Sequence, residues 1–168
     1  VKNIEYKAEL LNLETARGIA RAIGAREVAF LEQTDEYFPV AEGRLKRRTE
    51  RNATQGTERR EWIWYDRADK VQARTSRWTR LDDRQVEIRW PDLVRKVEHY
   101  IKKRRELWDF EGVRIHLDSV AGLGNFLEFE GVVDSSGDPT RVRGTVEHLI
   151  GQFRPVLGEP VSGSYADM

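Results

Sequence analysis

Residues 113–130 read VRIHLDSVAGLGNFLEFE, and charged side chains take every second position of two segments that otherwise read as strands. Arg114, His116 and Asp118 alternate with Val113, Ile115 and Leu117, and Glu128 and Glu130 alternate with Leu127 and Phe129. Successive strand side chains point to opposite faces, so each segment has one apolar and one ionisable face. Gly122 and Gly124 between them predict a hairpin turn. The ordinary fate of such a face is to be wetted by solvent. Against that stands recurrence. Residues 2–10 alternate Asn3, Glu5, Lys7 and Glu9 with Ile4, Tyr6, Ala8 and Leu10, and GRLKRR at 43–48 puts Arg44, Lys46 and Arg48 on one face. A closed barrel would gather these faces in its lumen.

The intervening segments fill in an α+β chain. Ala16, Ile19, Ala20 and Ile23 at helical spacing predict a helix over 13–23, with Gly24 to stop it. Residues 26–38 read as a strand of ambiguous facing closed by Pro39, and 50–58 as an exposed polar hairpin loop. EWIWYDR at 61–67 is a strand with no cleanly polar face. Residues 72–79 are its expected antiparallel partner, Arg74 being the residue to join the charged set. Beyond Pro91 a short helix is expected over 92–100, with Leu93, Val94 and Val97 inward. IKKRRELW at 101–108 is a strand with two open registers, Lys102 with Arg104 or Lys103 with Arg105. A turn over 135–139, a helix over 139–153 carrying Val142, Val146, Leu149 and Ile150, and a tail ending SYADM complete the chain as one domain, 1–168.

Composition narrows the function. The 168 residues hold 29 basic and 29 acidic side chains, a net charge of zero, which excludes the basic excess expected of a generic nucleic-acid binder. No cysteine is present, so disulfides and thiolate metal sites are out, in keeping with a reducing, cytoplasmic setting. No apolar run reaches membrane-spanning length and no signal-peptide pattern opens the chain, so no membrane association is expected. His99, His116 and His148 lack zinc-ligand spacing, and GxSxG, Walker and GxGxxG motifs are absent. Trp62 and Trp64 read as barrel-wall packing rather than base-stacking platforms.

Cations outnumber carboxylates on the collected polar faces. Arg forks and Lys point charges suit a chain of phosphates. Glu5, Asp118, Glu128 and Glu130 on the same faces suit Mg2+ or Mn2+, hard ions that prefer oxygen. Burying so many unpaired charges would be prohibitive. The lumen is therefore expected to be wide, hydrated and open at its ends.

NIEYKAEL, EQTDEYF, GRLKRR, WYDR, KKRREL, RIHLDSVAGLGNFLEFE and SYADM, in that order, resemble the CYTH superfamily of triphosphate tunnel metalloenzymes, most closely its class IV adenylyl cyclase-like branch. The resemblance implies a closed antiparallel eight-stranded barrel whose tunnel binds a triphosphate-containing small molecule such as ATP, tripolyphosphate or thiamine triphosphate. It assigns phosphate binding to Lys7, Arg44, Lys46, Arg67, Arg105 and Arg114 and chooses the second register of the KKRREL strand, with Lys103; Arg48 and Arg74 join these from the charged strand faces as substrate-binding candidates. Metal binding goes to Glu5, Glu128 and Glu130 with Asp118 near them, and catalysis centres on Glu5, Lys7, Arg114 and Glu130. The first Glu of the ExExK signature is Asn3 here. The implied activity is ATP cyclisation with release of pyrophosphate; hydrolysis of a triphosphate and a non-catalytic polyphosphate-binding module are the alternatives, and Tyr37, Phe38 and Trp78 are candidates for a base pocket. A homodimer is left open.

Overall fold

Eight strands bend into one closed antiparallel barrel, and the alternation of the sequence decides on which side of the wall each residue lies. The computed structural model describes residues 2–67, 72–135 and 137–168, with the Arg67 side chain outside the description. In chain order the strands are β1 (Lys2–Leu10), β2 (Arg26–Phe38), β3 (Arg44–Asn52), β4 (Thr57–Arg67), β5 (Arg74–Leu81), β6 (His99–Phe110), β7 (Val113–Val120) and β8 (Gly124–Val133). They lie in the order β5-β4-β3-β2-β6-β7-β8-β1, and pairing of β1 with β5 closes the ring. A ninth short strand, β9 (Leu157–Pro160), continues along β1 where β5 has ended. The expected eight-stranded barrel is therefore the architecture, with one added strand.

The apolar core lies outside the barrel wall. Ile4 of β1, Ile115 and Leu117 of β7, and Leu127 and Phe129 of β8 face away from the lumen and are covered by helices α1 (Leu13–Ala22) and α3 (Pro139–Phe153). Asn12 caps α1 by accepting from the Thr15 amide, and Asp138 caps α3 by accepting from the Thr140 amide, with Pro139 suited to the first turn. A second outer core joins Phe38, Leu45 and Trp62 under α2 (Asp83–Arg89), whose Val86 is fully buried. Trp62 also donates its indole N–H to Asp83 at 2.7 Å. Trp62 and Trp64 thus sit on the outer side of the wall.

Two local expectations are overturned. Residues 93–98 form no helix: α2 lies earlier, at Asp83–Arg89, started by a capping box between Asp82 and Gln85. Leu93 and Val97 pack on the α2 core as expected and Val94 is exposed instead, while the Glu98 amide donates to the Tyr37 carbonyl at 2.8 Å and draws the chain straight into β6. The polar stretch 50–58 makes the expected hairpin, its exposed turn at 53–56 joining β3, which runs to Asn52, to β4, which starts at Thr57. Glu50 is buried rather than exposed, because the barrel supplies a polar inside that an ordinary sheet lacks.

α3 seals the larger outer core, so Leu149→Ala, at a site with no exposure, is expected to cost about 2–5 kcal/mol. Chemical denaturation at equilibrium measures it.

Candidate active site

Inside the wall the side chains form salt-linked groups around a cavity of about 180 Å³. On the β2–β3–β6 side, Asp35 has 1% of its surface exposed and accepts from Arg48 Nε and Nη2 at 2.7 and 2.8 Å and from Lys46 Nζ at 3.0 Å. Lys103 Nζ stands 3.7 Å from the same carboxylate. Burial alone would raise the Asp35 carboxyl, but Arg48, Lys46 and Lys103 outweigh it and hold it well below the usual carboxylate range. Burial and Arg48 lower the Lys46 ammonium to about 8 against the pull of Asp35. Burial, Arg105 and Arg48 push Lys103 well below the usual lysine range.

The next group is built on one cross-strand pair. Arg105 of β6 lies opposite Asp118 of β7 and holds it bidentately at 2.7 and 2.8 Å. Tyr165 donates its hydroxyl to the same carboxylate at 2.8 Å. Asp118 is fully buried and held far below its ordinary value by Arg105, despite burial pulling the other way. Its oxygens are thus engaged by Arg105 and Tyr165, so that Asp118 orients the guanidinium, and it lies outside the group of Glu5, Glu128 and Glu130.

Glu5, Glu128 and Glu130 form a group that could hold a cation, their carboxylate oxygens lying within 4.8 Å of one another. Register places them, since Glu5 lies opposite Glu130 and Lys7 opposite Glu128 between β1 and β8. Each glutamate also touches a cation: Arg74 Nε at 3.3 Å from Glu5, Lys7 Nζ at 3.3 Å from Glu128, and Arg114 Nη2 at 2.7 Å from Glu130. Burial raises the Glu130 carboxyl, and Glu128 and Glu5 add to the rise against Arg114. Three hard carboxylates at this spacing fit Mg2+ or Mn2+, and no thiolate is present to favour a softer ion. His116 lies in the lumen with its Nδ1 3.9 Å from Glu128, and burial and Arg105 keep the ring neutral.

The tail completes the lumen. Tyr165, in a 3₁₀ turn Tyr165–Asp167, lies with its ring 4.1 Å from Lys7 Nζ and 5.1 Å from Lys103 Nζ. Ala166 packs on Tyr37 and Tyr65. Arg44 is turned to the rim, where Nη2 donates to Asp167 at 2.5 Å, so it lies off the cavity wall. Arg74 is buried and donates to the Ser162 carbonyl as well as to Glu5. Lys102 and Arg104 point outward, whereas Lys103 and Arg105 are buried in the lumen. Phe38 belongs to the outer core rather than to a base pocket; Tyr37 and Trp78 line the cavity. The phosphate contact expected of Arg67 rests on its side chain, which lies outside the description.

Sequence reasoning did not select Asp35, Gln33, Glu50, Arg59 or Tyr165. Glu50 accepts from Gln33 Nε2 at 2.6 Å and from Arg59 Nε at 3.0 Å, making a further polar layer. The alternation of Leu31, Gln33, Asp35 and Tyr37 held the signal, but only the pairing of Asp35 with Arg48 and of Gln33 with Glu50 reveals which side faces in. Mutual pairing offsets much of the charge buried in the lumen.

Asp35→Asn leaves three cations without their shared counter-charge and is expected to destabilise the fold by about 3–5 kcal/mol. Tripolyphosphate should restore more stability to this variant than it adds to the parent, as read by thermal denaturation with and without the anion. Lys46 grips an anion only when protonated. Its folded value lies below that of a free lysine, about 10.4, so the charge is present below about pH 8 and is lost as pH rises through it. Calorimetric affinity for tripolyphosphate should fall above that pH, and fall less steeply in Lys46→Met.

The CYTH domain family model matches residues 2–154. A protein from Pyrococcus horikoshii superimposes with a TM-score of 0.71 over 98% of both chains at 20% identity. A putative adenylate cyclase from Vibrio parahaemolyticus gives 0.67 over 98% of this chain and 95% of that one at 18% identity. A putative adenylyl cyclase from Hippeastrum, described as having a dominant triphosphatase activity, gives 0.59 over 96% and 91% at 14% identity. At these identities the likeness is one of fold. No curated protein sequence matches significantly. With its domain match extending from β1 through α3, the chain belongs to the CYTH domain family.

Proposed function

We propose that the protein is a divalent-metal-dependent triphosphatase that holds a linear triphosphate in the barrel lumen. The observation that carries this reading is the convergence on one narrow cavity of the three-glutamate group and the cations of β3 and β6. Family membership supports the substrate chemistry, and the Hippeastrum neighbour supports hydrolysis.

Arg48 and Arg105 present guanidinium forks, and Lys46, Lys103 and Lys7 present ammonium groups, so phosphate oxygens can accept from the N–H donors that the carboxylates leave free on cations already in place. Asp35 and Asp118 keep the two guanidinium planes fixed, which lowers the reorganisation needed when charge develops. Mg2+ or Mn2+ held by Glu5, Glu128 and Glu130 would supply charge neutralisation and Lewis acidity. Glu130, which lines the cavity beside Glu5 and Glu128, is the group to take the proton of an attacking water. The water oxygen bonds to the terminal phosphorus, the phosphoanhydride P–O bond breaks, and its electron pair leaves on the departing diphosphate, whose charge the cations accept. Arg114, paired to Glu130, orients that carboxylate.

ATP cyclisation is the second reading, favoured by the aromatic side chains Tyr65 and Trp78 lining the same cavity as Glu5. There the ribose hydroxyl is the nucleophile and pyrophosphate the leaving group. Retention of three clustered carboxylates disfavours a module that only binds, because cations alone would suffice for that.

Chromatography of products formed from tripolyphosphate and from ATP, with Mg2+ or Mn2+, separates the readings. Orthophosphate is expected from both; cyclic AMP with pyrophosphate from ATP, without orthophosphate, would transfer the assignment to cyclisation. Arg105→Ala and Glu130→Gln should each lower kcat/KM by about 100-fold or more. Parent-like turnover in both variants, with native circular dichroism, would defeat the proposed site.

A further inference from the structure

His116 is a buried polar residue to which the phosphate chemistry above assigns no task. It lies on β7 directly opposite Glu128 of β8, lines the cavity, and has 4% of its surface exposed. Its Nδ1 is fully enclosed, has no hydrogen-bond partner among the described residues, and stands 3.9 Å from Glu128 Oε1. That separation is beyond hydrogen-bond length. The atom has lost its hydration without a replacement, a cost that an apolar residue of similar size would not carry.

Burial and the Arg105 guanidinium keep the imidazole neutral, so one ring nitrogen bears a proton and the other a lone pair. A lone pair on Nδ1 would face the Glu128 carboxylate and be repelled by it, whereas an N–H there is attracted. The proton is therefore assigned to Nδ1. Glu128 is then flanked by two donors, Nδ1 near Oε1 and Lys7 Nζ at 3.3 Å from Oε2, from the two strands that border β8. The two donors differ in what competes for them. A phosphate chain attracts the Lys7 ammonium, whereas a neutral imidazole feels no comparable pull. His116 is thus the neighbour that stays with Glu128 when phosphate enters.

We propose that His116 is a positioning residue, whose Nδ1–H closes on Glu128 when a divalent cation binds the three glutamates and so fixes that carboxylate as a ligand. Closing the gap takes a shift of about 1 Å, which side-chain torsions supply. Donors behind a metal-bound carboxylate orient it and raise its affinity for the ion. The inference rests on the metal reading of Glu5, Glu128 and Glu130 and adds the partner that orients one of them. His116 acts through Glu128 and is not itself a ligand.

Mn2+ binding to the full chain, read by electron paramagnetic resonance with no phosphate present, tests this. His116→Leu removes the donor, and His116→Asn returns an N–H close to the place of Nδ1. His116→Leu is expected to weaken Mn2+ binding about 10–100-fold, and His116→Asn to recover most of that loss. Thermal denaturation separates positioning from support. Because Nδ1 has no partner in the fold, His116→Leu should melt in EDTA at or above the temperature of the parent, yet gain less from added Mn2+. Parent-like Mn2+ affinity in His116→Leu overturns the inference, as does an equal loss in His116→Leu and His116→Asn. A lowered melting temperature of His116→Leu in EDTA also overturns it, since the ring would then be a structural support. So does a directly bonded nitrogen coupling in the pulsed spectrum of Mn2+ on the parent, which would make the ring a ligand. If the parent itself takes up no Mn2+, the metal reading of the three glutamates falls, and this inference with it.

Discussion

Neutralisation of charge inside a closed wall is the condition on which the rest of this molecule depends. A barrel that turns its ionisable faces inward must offset each buried cation or lose stability, because an unpaired buried charge is far more costly than a paired one. Asp35 answers for Arg48, Lys46 and Lys103, and Asp118 for Arg105. The same carboxylates aim the guanidinium planes. One set of contacts therefore lets the barrel fold and prearranges it for an anion.

Much of this was legible in the chain. Alternation in residues 113–130 and 2–10 implied an ionisable face, and the structure places Glu5, Lys7, Arg114, Glu128 and Glu130 on it around a common cavity. Periodicity likewise foretold α1 and α3, whose apolar stripes are long enough to be read alone. What stayed hidden depends on partners distant in sequence. Asp35 has no special local pattern; its meaning comes from β3, through Arg48 and Lys46, and from Lys103 on β6. Asp118 carried the right residue type for a metal ligand, yet Arg105 and Tyr165 take up its oxygens. The helix expected over 92–100 failed because its apolar spacing is equally served by an extended segment hydrogen-bonded to the end of β2.

Tyr165 shows how far the site reaches beyond the matched domain, which ends at residue 154. Its hydroxyl belongs to the Asp118–Arg105 group and its ring faces two ammonium groups. A phenol so placed shields the lysines from water without adding a negative charge, and burial and Asp118 hold it well above the usual tyrosine range, so it stays protonated.

Placing the apolar core outside the wall has a further consequence. In most small domains the residues that hold the fold and those that bind a ligand compete for the same interior. Here the wall acts as a partition, with Phe129, Leu127 and Ile115 on one side and Glu128, Glu130 and Arg114 on the other, often one position apart. A change of ligand chemistry therefore requires only every second residue of a strand to vary. The outward neighbours can keep their packing unaltered, so a single architecture can be handed down while its contents are rewritten.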